Sequence, residues 1–247
     1  MNTKSGILNT EPANKAGAFV SPLVNIVCNK IEGHQVFFAV GHKDDLIQKH
    51  HLKGDFYERE ELEIIRKYFP QGGVFLDIGA NVGNHTLFAL RILGASKAII
   101  VEPNKVAYDL LFTNIVLNSL GEKCDFSGIG LGLSDAEAEG MGISFQSKNI
   151  GGACLVEGEG NINTITGDAF IKEKVVDFIK IDVEGMEIAV LSGLKNTISK
   201  FRPPMFVEVD GKNDEKFIKW IGQQGYEIVD TFKRYKTNCN YMISPID

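Results

Sequence analysis

A short apolar strand that ends in a carboxylate, and that leads through two glycines into a helix, is the most informative stretch of this chain. It runs from Val74 to Thr86, with Asp77 near the end of the strand and Gly79 and Gly83 in the turn that follows. Ligands of open parallel sheets collect at the carboxyl ends of the strands. Glycine lets the backbone turn tightly and approach a bound molecule closely. The stretch therefore predicts a cradle for a small molecule.

The next acid of this kind, Glu102, ends a second strand-like run that spans Ala98 to Val101. An acid about 20 residues beyond such a glycine loop can accept hydrogen bonds from the hydroxyls of a ribose. We therefore expect a ligand that contains a nucleoside. The alternative, on the residues alone, is that Asp77 only caps the turn and that Glu102 is a solvated strand end.

The spacing of the glycines separates two classes of cofactor. A dinucleotide fingerprint has glycines at the first, third and sixth positions of its loop, but counted from Gly79 the third and sixth residues are Asn81 and Asn84. Asp77 would also repel a polyphosphate. It suits the positive charges of S-adenosylmethionine, whose carboxylate would face the backbone N–H groups at the helix start. This favours S-adenosylmethionine over a nicotinamide dinucleotide.

A third strand-like run, Val175–Val183, carries Asp182 near its end and is followed by Glu184. If this strand lies parallel to the first, both acids emerge at the same edge of the sheet as Asp77 and Glu102. A hydroxyl acceptor must lose its proton as it is methylated. Asp182 is therefore a candidate general base or metal ligand, and the alternative is a carboxylate that holds a loop.

Three side chains near these strand ends can be interpreted from the sequence. Two of them have both a catalytic and a structural interpretation. Glu184 either takes part in catalysis or stabilises the start of the following helix by its charge. His85 either orients or deprotonates an acceptor or is satisfied by nearby backbone groups. Lys180 is expected to be an exposed strand residue. The catalytic candidates are thus Asp182, His85 and Glu184.

Acids at the ends of two adjacent strands are compatible with a divalent metal. Asp182, Glu208 and Asp210 could hold Mg²⁺, which would bind two oxygens of the acceptor. Acids at such an edge also serve cofactor amines and water, so we predict no metal ligand.

The ordered motifs VFLDIGANVGNHT, VEPN with Tyr108, Leu111 and Asn114 beyond it, GLSD, and IKIDVEGMEIAVLSG resemble those of the FkbM-type S-adenosylmethionine-dependent methyltransferases. The resemblance extends from about Gly54 to Asp210. It implies an α/β, class I methyltransferase (Rossmann-like) fold, with a seven-stranded mixed sheet, a reversed final strand and helices on both faces. It also implies O-methylation of a hydroxyl on a sugar, polyketide or related molecule.

The resemblance further implies roles for residues of the cofactor site. Gly79, Asn81 and Gly83 would lie along the methionine part and Glu102 would take the ribose. Pro103 and Asn104 would approach the adenine. Ser134, in the GLSD segment after the third strand, completes the expected cofactor contacts together with Asp77.

Composition and charge narrow the class of protein. Of the 247 residues 44% are hydrophobic and 23% charged, which is typical of globular proteins. The net charge of -6 argues against a nucleic-acid partner. We expect no membrane span and no signal peptide, since the sequence has no long apolar run. The four cysteines stand far apart, which predicts no zinc site and a cytoplasmic location.

The chain is expected to form one unit in two parts. Residues 1–70 would supply a loose arm up to about Ala18, a hairpin (Val24–Cys28 and Gln35–Val40) and a cap helix (Phe56–Phe69) over the cofactor edge. Residues 71–247 would form the methyltransferase domain. The glycine-rich segment 134–163 predicts either a mobile loop or a small antiparallel insertion. A helix over Asn213–Gln224 would precede a terminal strand pair, Glu227–Phe232 and Asn240–Ser244.

Three functions follow from these observations. The first is methylation of a hydroxyl on a small molecule or glycan. The second is a nicotinamide-dependent oxidoreductase, which the glycine spacing disfavours. The third is a non-catalytic subunit that binds S-adenosylmethionine. The sequence makes no prediction of oligomeric state.

Overall fold

The computed structural model describes residues 24–145, 153–156, 158 and 160–246. The arm predicted before Ala18 lies outside these ranges. No helix in the described part of the chain is long and apolar enough to cross a membrane.

The N-terminal part is a hairpin followed by two helices. Strands β1 (Asn25–Ile31) and β2 (His34–Val40) pair antiparallel, as predicted, and precede α1 (Leu46–Leu52) and α2 (Arg59–Tyr68). Helix α2 begins three residues later than the sequence suggested. Glu58 adopts a left-handed conformation with φ of 59°, so the helix cannot extend back through it.

The remaining elements alternate between strands and helices over most of the chain. In order they are β3 (Val74–Ile78), α3 (Asn84–Arg91), β4 (Lys97–Glu102), α4 (Lys105–Leu117), β5 (Cys124–Ile129), β6 (Leu131–Ser134), β7 (Ala138–Phe145), β8 (Ala153–Val156), β9 (Ile162–Thr166), α5 (Gly167–Ile171), β10 (Phe178–Ile181), α6 (Glu187–Gly193), α7 (Lys195–Phe201), β11 (Met205–Asp210), α8 (Asp214–Gln224), β12 (Tyr226–Phe232) and β13 (Asn238–Pro245).

The main sheet has seven strands in the order β12-β13-β11-β10-β3-β4-β5. Strand β13 runs antiparallel to both of its neighbours, whereas β11, β10, β3, β4 and β5 are mutually parallel. This confirms the predicted mixed sheet with a reversed final strand. The chain leaves β3 in one direction along the sheet and returns to β10 on its other side. Ligands bind at such a switch point in open α/β sheets.

Strand β10 is shorter than the predicted run from 175 to 183. The Asp177 carboxylate accepts a hydrogen bond from Val74 N–H at 2.8 Å, and regular pairing with β3 starts only at Phe178. At the other end Glu184 and Gly185 both have positive φ, of 49° and 96°. The strand therefore ends before Asp182, whose side chain is carried on a sharp turn.

The sheet buries one apolar cluster on each face. Along β3, Leu76 points into the cluster covered by helices α6 and α8, whereas Phe75 points into the other. The second cluster also contains Phe38 and Phe56 of the N-terminal part, and the Phe56 ring meets Phe88 of α3 edge to face at 5.2 Å. The N-terminal part, residues 24–70, is called the cap below. Its apolar side chains belong to the core of the sheet rather than covering it from outside.

The sequence predicted either a mobile loop or a small insertion for the glycine-rich segment. The described part of this segment belongs to a small insertion. Strands β6, β9, β7 and β8 make a small four-stranded sheet between β5 and α5. Strands β7 and β8 pair antiparallel, and so do β7 and β9, whereas β6 and β9 pair parallel, so the small sheet is mixed. Residues 146–152, 157 and 159 lie outside the described residues.

Candidate active site

A cavity of about 260 Å³ opens at the carboxyl edge of the sheet, beside the switch point. Its walls come from the glycine loop after β3, from the turn after β10, from strand β11, from the N-terminal part, and from the β12–β13 connection. The lining residues are Asp45, Leu46, Ile47, Tyr57, Glu58, Gly79, Ala80, Asn81, Asn84, His85, Lys180, Asp182, Glu184, Glu208, Tyr235 and Asn238. Residues distant in sequence thus converge on one polar space.

The glycine loop is held in a left-handed conformation at three positions. Gly79, Asn81 and Gly83 have φ of 76°, 51° and 84°. A Cβ atom on Gly79 would overlap the carbonyl oxygen of Asp182. Glycine is therefore required at position 79 so that the turn after β10 can lie against the loop.

Glu102 anchors this loop from beneath. Its two carboxylate oxygens accept hydrogen bonds from the backbone N–H groups of Asn81 and Asn104, each at 2.7 Å. Burial raises the pKa of Glu102 to about 7 despite these two hydrogen bonds, which favour the charged form. Each oxygen retains a lone pair, so Glu102 can accept further hydrogen bonds.

Asn104 caps helix α4 directly after Pro103. Its side-chain oxygen accepts from Val106 N–H at 3.1 Å. Its amide nitrogen is buried and has no hydrogen-bond partner in the described part of the chain. Such a donor costs free energy unless a ligand satisfies it.

Lys180 is a buried cation, and the prediction that it is exposed is wrong. It is 2% exposed, and its ammonium donates to the Gly79 carbonyl oxygen at 2.6 Å. Nζ also lies 3.4 Å from Asp77 Oδ1 and 3.5 Å from Asp182 Oδ2. Although burial works against the charge, these carboxylates raise the pKa of Lys180. The sheet register explains the contact, because Lys180 lies directly beside Asp77.

Asp77 itself is fully buried below the cavity. Its Oδ2 accepts a hydrogen bond from the Thr86 hydroxyl at 2.6 Å. Asp77 therefore joins the strand end, the start of α3 and Lys180.

Three carboxylates meet on the far wall of the cavity. Oxygens of Asp182, Glu184 and Glu208 all lie within 4.8 Å of one another. Burial, followed by the charge of Asp182, raises the pKa of Glu184 to about 7 and that of Glu208 to about 9. Asp210, the third acid proposed from sequence, pairs with Lys212 at 3.1 Å and is not in this group.

Glu58 and His85 form an acid–imidazole contact in the cavity. His85 Nε2 lies 3.7 Å from Glu58 Oε2. Burial, then the charge of Lys180, lowers the pKa of His85 to about 3, so the imidazole is neutral. Burial, then the charge of Asp182, raises the pKa of Glu58 to about 8. Sequence reasoning missed Glu58, because nothing before α2 links it to the strand ends.

The structure brings only some of the predicted site residues to the cavity itself. Gly79, Asn81, His85, Asp182 and Glu184 line it. Asp77, Gly83, Glu102, Pro103 and Asn104 lie beneath the loop or beside it. Ser134 ends β6, and its hydroxyl donates to Asp135 at 3.1 Å.

Two comparisons of the sequence with known proteins point to a methyltransferase. The family model described as Methyltransferase FkbM domain matches residues 77–241. Hexuronic acid methyltransferase AglP from Haloferax volcanii is 28% identical over 197 residues, which cover 75% of this chain and 74% of that protein.

Two solved structures share the fold. Methyltransferase FkbM from Methylobacillus flagellatus KT matches with a TM-score of 0.51 and 15% identity, over 80% of this chain and 52% of that chain. An uncharacterized protein from Listeria monocytogenes serotype 4b has a TM-score of 0.51 and 16% identity, over 77% of this chain and 69% of that chain. At these identities both matches concern the fold.

Proposed function

The chain belongs to the FkbM methyltransferase family, and on that premise we propose that it transfers the methyl group of S-adenosylmethionine to a hydroxyl of a sugar or glycan. The name of the Haloferax protein, a hexuronic acid methyltransferase, supports a sugar as the acceptor. The observation that carries the proposal is the meeting of two features at one sheet edge. The glycine loop with Glu102 suits a nucleoside, and the adjoining polar cavity suits a hydroxylated acceptor.

The residues present fit the cofactor on its ribose and adenine side. Glu102 has free lone pairs for two hydroxyl donors, and the unpartnered amide of Asn104 is a donor of the kind that adenine nitrogens accept. Gly79, Asn81 and Gly83 are proposed to lie along the methionine part. S-adenosylmethionine, when bound, supplies an activated methyl group on its sulfonium.

Asp77 and Ser134 are also proposed to contact the cofactor, although neither lines the cavity. The ammonium of Lys180 lies 3.4 Å from Asp77 Oδ1. Lys180 must move away from this oxygen before the cofactor's amino group can contact it. Asp77 also positions Thr86 at the helix start. Ser134 lies at the end of β6, where it pairs with Thr166 of β9.

The chain's contribution to catalysis is to hold the acceptor hydroxyl in line and to take its proton. Asp182, Glu184 and His85 are the proposed candidates, and Glu58 joins them. A base works best with a pKa near the working pH. His85, with a pKa near 3, is therefore better suited to orienting the hydroxyl. Glu184 and Glu58, with pKa values of about 7 and about 8, are better suited to accepting its proton.

The direct test uses the full chain, S-adenosylmethionine with a labelled methyl group, and two sugars that differ in charge. A hexuronic acid glycoside and the matching hexose glycoside are suitable, and mass spectrometric fragmentation locates the label. We expect label on a hydroxyl oxygen of one or both sugars. Binding of the cofactor by calorimetry without label on any sugar would instead support a non-catalytic subunit or another acceptor class.

A further inference from the structure

The three carboxylates on the cavity wall have too little positive charge around them. Asp182, Glu184 and Glu208 come from two adjacent strand ends and face each other within 4.8 Å. Within the described residues, their ion pairs lead to Lys180 alone, at 3.5 Å from Asp182. That ammonium is closer to the Gly79 carbonyl oxygen and is shared with the buried Asp77. The cluster therefore lacks a cation of its own.

The oxygens of the three carboxylates are also free to bind a cation. Glu208 accepts one hydrogen bond, from the Asn238 side chain at 2.6 Å on Oε1. Glu184, which is itself in the left-handed conformation and is followed by Gly185, lines the cavity. All three side chains line the cavity, so an ion can reach them from solvent.

A second observation points independently to a ligand at this place. His85 is 7% exposed and lines the same cavity. Its Nε2 has no hydrogen-bond partner among the described residues, since Glu58 Oε2, at 3.7 Å, is too far away to be one. A buried polar atom without a partner destabilises the folded state. An ion with its bound waters would supply the missing partner.

From these contacts we infer that Asp182, Glu184 and Glu208 bind a divalent cation on the acceptor side of the cavity, with His85 facing the ion or a water bound to it. Three carboxylates suit a hard cation such as Mg²⁺, Mn²⁺ or Ca²⁺. The cation holds oxygens of the acceptor against the transferred methyl. This role rests on the proposed function, whereas binding of the ion does not. The inference revises the sequence-based prediction of no metal ligand, which did not include Glu184 in the cluster.

The ion would also allow an anionic sugar, such as a hexuronic acid, to enter this acidic cavity. A hexuronic acid carries a carboxylate, which Glu58 and the three cluster acids would repel. A divalent cation placed between the sugar carboxylate and the acids of the cavity would attract both.

The test measures binding of the metal alone to the chelator-treated full chain, without cofactor or acceptor. Mg²⁺, Mn²⁺ and Ca²⁺ are titrated by calorimetry at constant ionic strength, and bound Mn²⁺ is counted by electron paramagnetic resonance. We expect one saturable site for at least one of these ions. Glu184→Gln and Glu208→Gln should each weaken binding at least tenfold. The matched control, Glu122→Gln, removes an exposed acid in the connection between α4 and β5, which does not line the cavity, and should leave affinity unchanged within twofold.

Two results would overturn the inference. One is the absence of saturable binding in the folded wild type, and the other is equal affinity in the cluster variants and the control. Circular dichroism establishes that each variant is folded, and Glu184→Gln carries the test if Glu208→Gln is not. Titration of S-adenosylmethionine into the same sample separates the two proposals. Cofactor binding without metal binding would contradict the cation site and leave the proposed function standing. Metal binding without cofactor binding would contradict the proposed function and leave the cation site standing.

Discussion

Gly79 is constrained by a backbone contact rather than by its conformation alone. Its φ of 76° would strain any other residue, and its missing Cβ makes room for the Asp182 carbonyl oxygen. We predict that Gly79→Ala lowers affinity for S-adenosylmethionine at least tenfold and destabilises the fold by more than the roughly 1–2 kcal/mol of left-handed strain. Calorimetry and urea unfolding measure the two effects.

Gly94→Ala is the matched control for that prediction. Gly94 has a similar φ of 72°, but a Cβ there meets nothing within 4 Å. It should show the conformational cost and normal cofactor affinity. Equal effects of the two substitutions would mean that the contact with Asp182 has no importance.

Glu102 should make stability depend on pH. Its pKa is raised from the ordinary 4.5 to about 7, so the folded state keeps this proton to a higher pH than the unfolded chain does. The carboxyl's contribution is therefore fully present below pH 4.5 and is lost as the pH rises through 7. Relative to Glu102→Gln, the wild type should lose up to about 3 kcal/mol of unfolding free energy over that range. Urea unfolding at several pH values measures the difference, and a constant difference would contradict the assignment.

Asp182 is predicted to act on turnover and not on cofactor affinity. Asp182→Asn keeps the size of the side chain but removes its charge, so turnover should fall about a hundredfold or more. Cofactor affinity by calorimetry should stay within a few fold. Raised Mn²⁺ should restore part of the turnover if Asp182 is a metal ligand and none if it is the base. Lost cofactor affinity with normal turnover would place Asp182 in the cofactor site instead.

The connection between β12 and β13 reaches across the cavity and fastens the cap. Arg234 donates to both carboxylate oxygens of Glu61, at 2.8 and 2.6 Å, and Glu61 is fully buried on α2. Next to it, the hydroxyls of Tyr57 and Tyr235 lie 2.8 Å apart. Two elements from opposite ends of the chain thus share one wall of the site.

We predict that Arg234→Met lowers the free energy of unfolding by about 3 kcal/mol, since it leaves a buried carboxylate without its partner. Arg66→Met is the matched control, because Arg66 also binds a carboxylate through two nitrogens but its partner Glu32 is 37% exposed. The control should cost no more than about 1 kcal/mol. Urea unfolding of both variants gives the comparison, and similar losses would show that the Glu61 pair has no special weight.

Local patterns predicted most elements, and long-range contacts account for what was missed. The run that became β3 and the loop to α3 could be read because strand, glycines and helix are consecutive in sequence. Lys180 was misjudged because its burial depends on Asp77, which is about a hundred residues away along the chain and beside it in the sheet. Asp182 and Glu208 could be grouped from the sequence, because the strands that carry them were expected to be adjacent. Glu58 could not be paired with His85, because their meeting depends on how the N-terminal part folds onto the sheet edge.

Across the whole molecule, the cap and the sheet share one core. The second apolar cluster joins Phe38 and Phe56 to Phe88, and the Asn114 side chain accepts from Ala39 N–H while it donates to the Val82 carbonyl oxygen. Residues 24–70 would expose this apolar surface if they separated from the rest. This supports the proposal that the two predicted parts are one unit.

We therefore predict a single cooperative unfolding transition for the cap and the methyltransferase sheet. Hydrogen exchange of the full chain at rising urea compares the amides of β2 with those of β3 and β10, and fluorescence of Trp220 reports on the other face of the sheet, where it packs on Phe217. The protected amides of all three strands should open with the same free energy and at the urea concentration where the fluorescence changes. Opening of β2 at a free energy lower by about 2 kcal/mol or more, with Trp220 unchanged, would make the cap a separate unit. In that case the cavity wall formed by Tyr57 and Glu58 would open without unfolding of the sheet, and the carboxylates opposite would be reached through that opening.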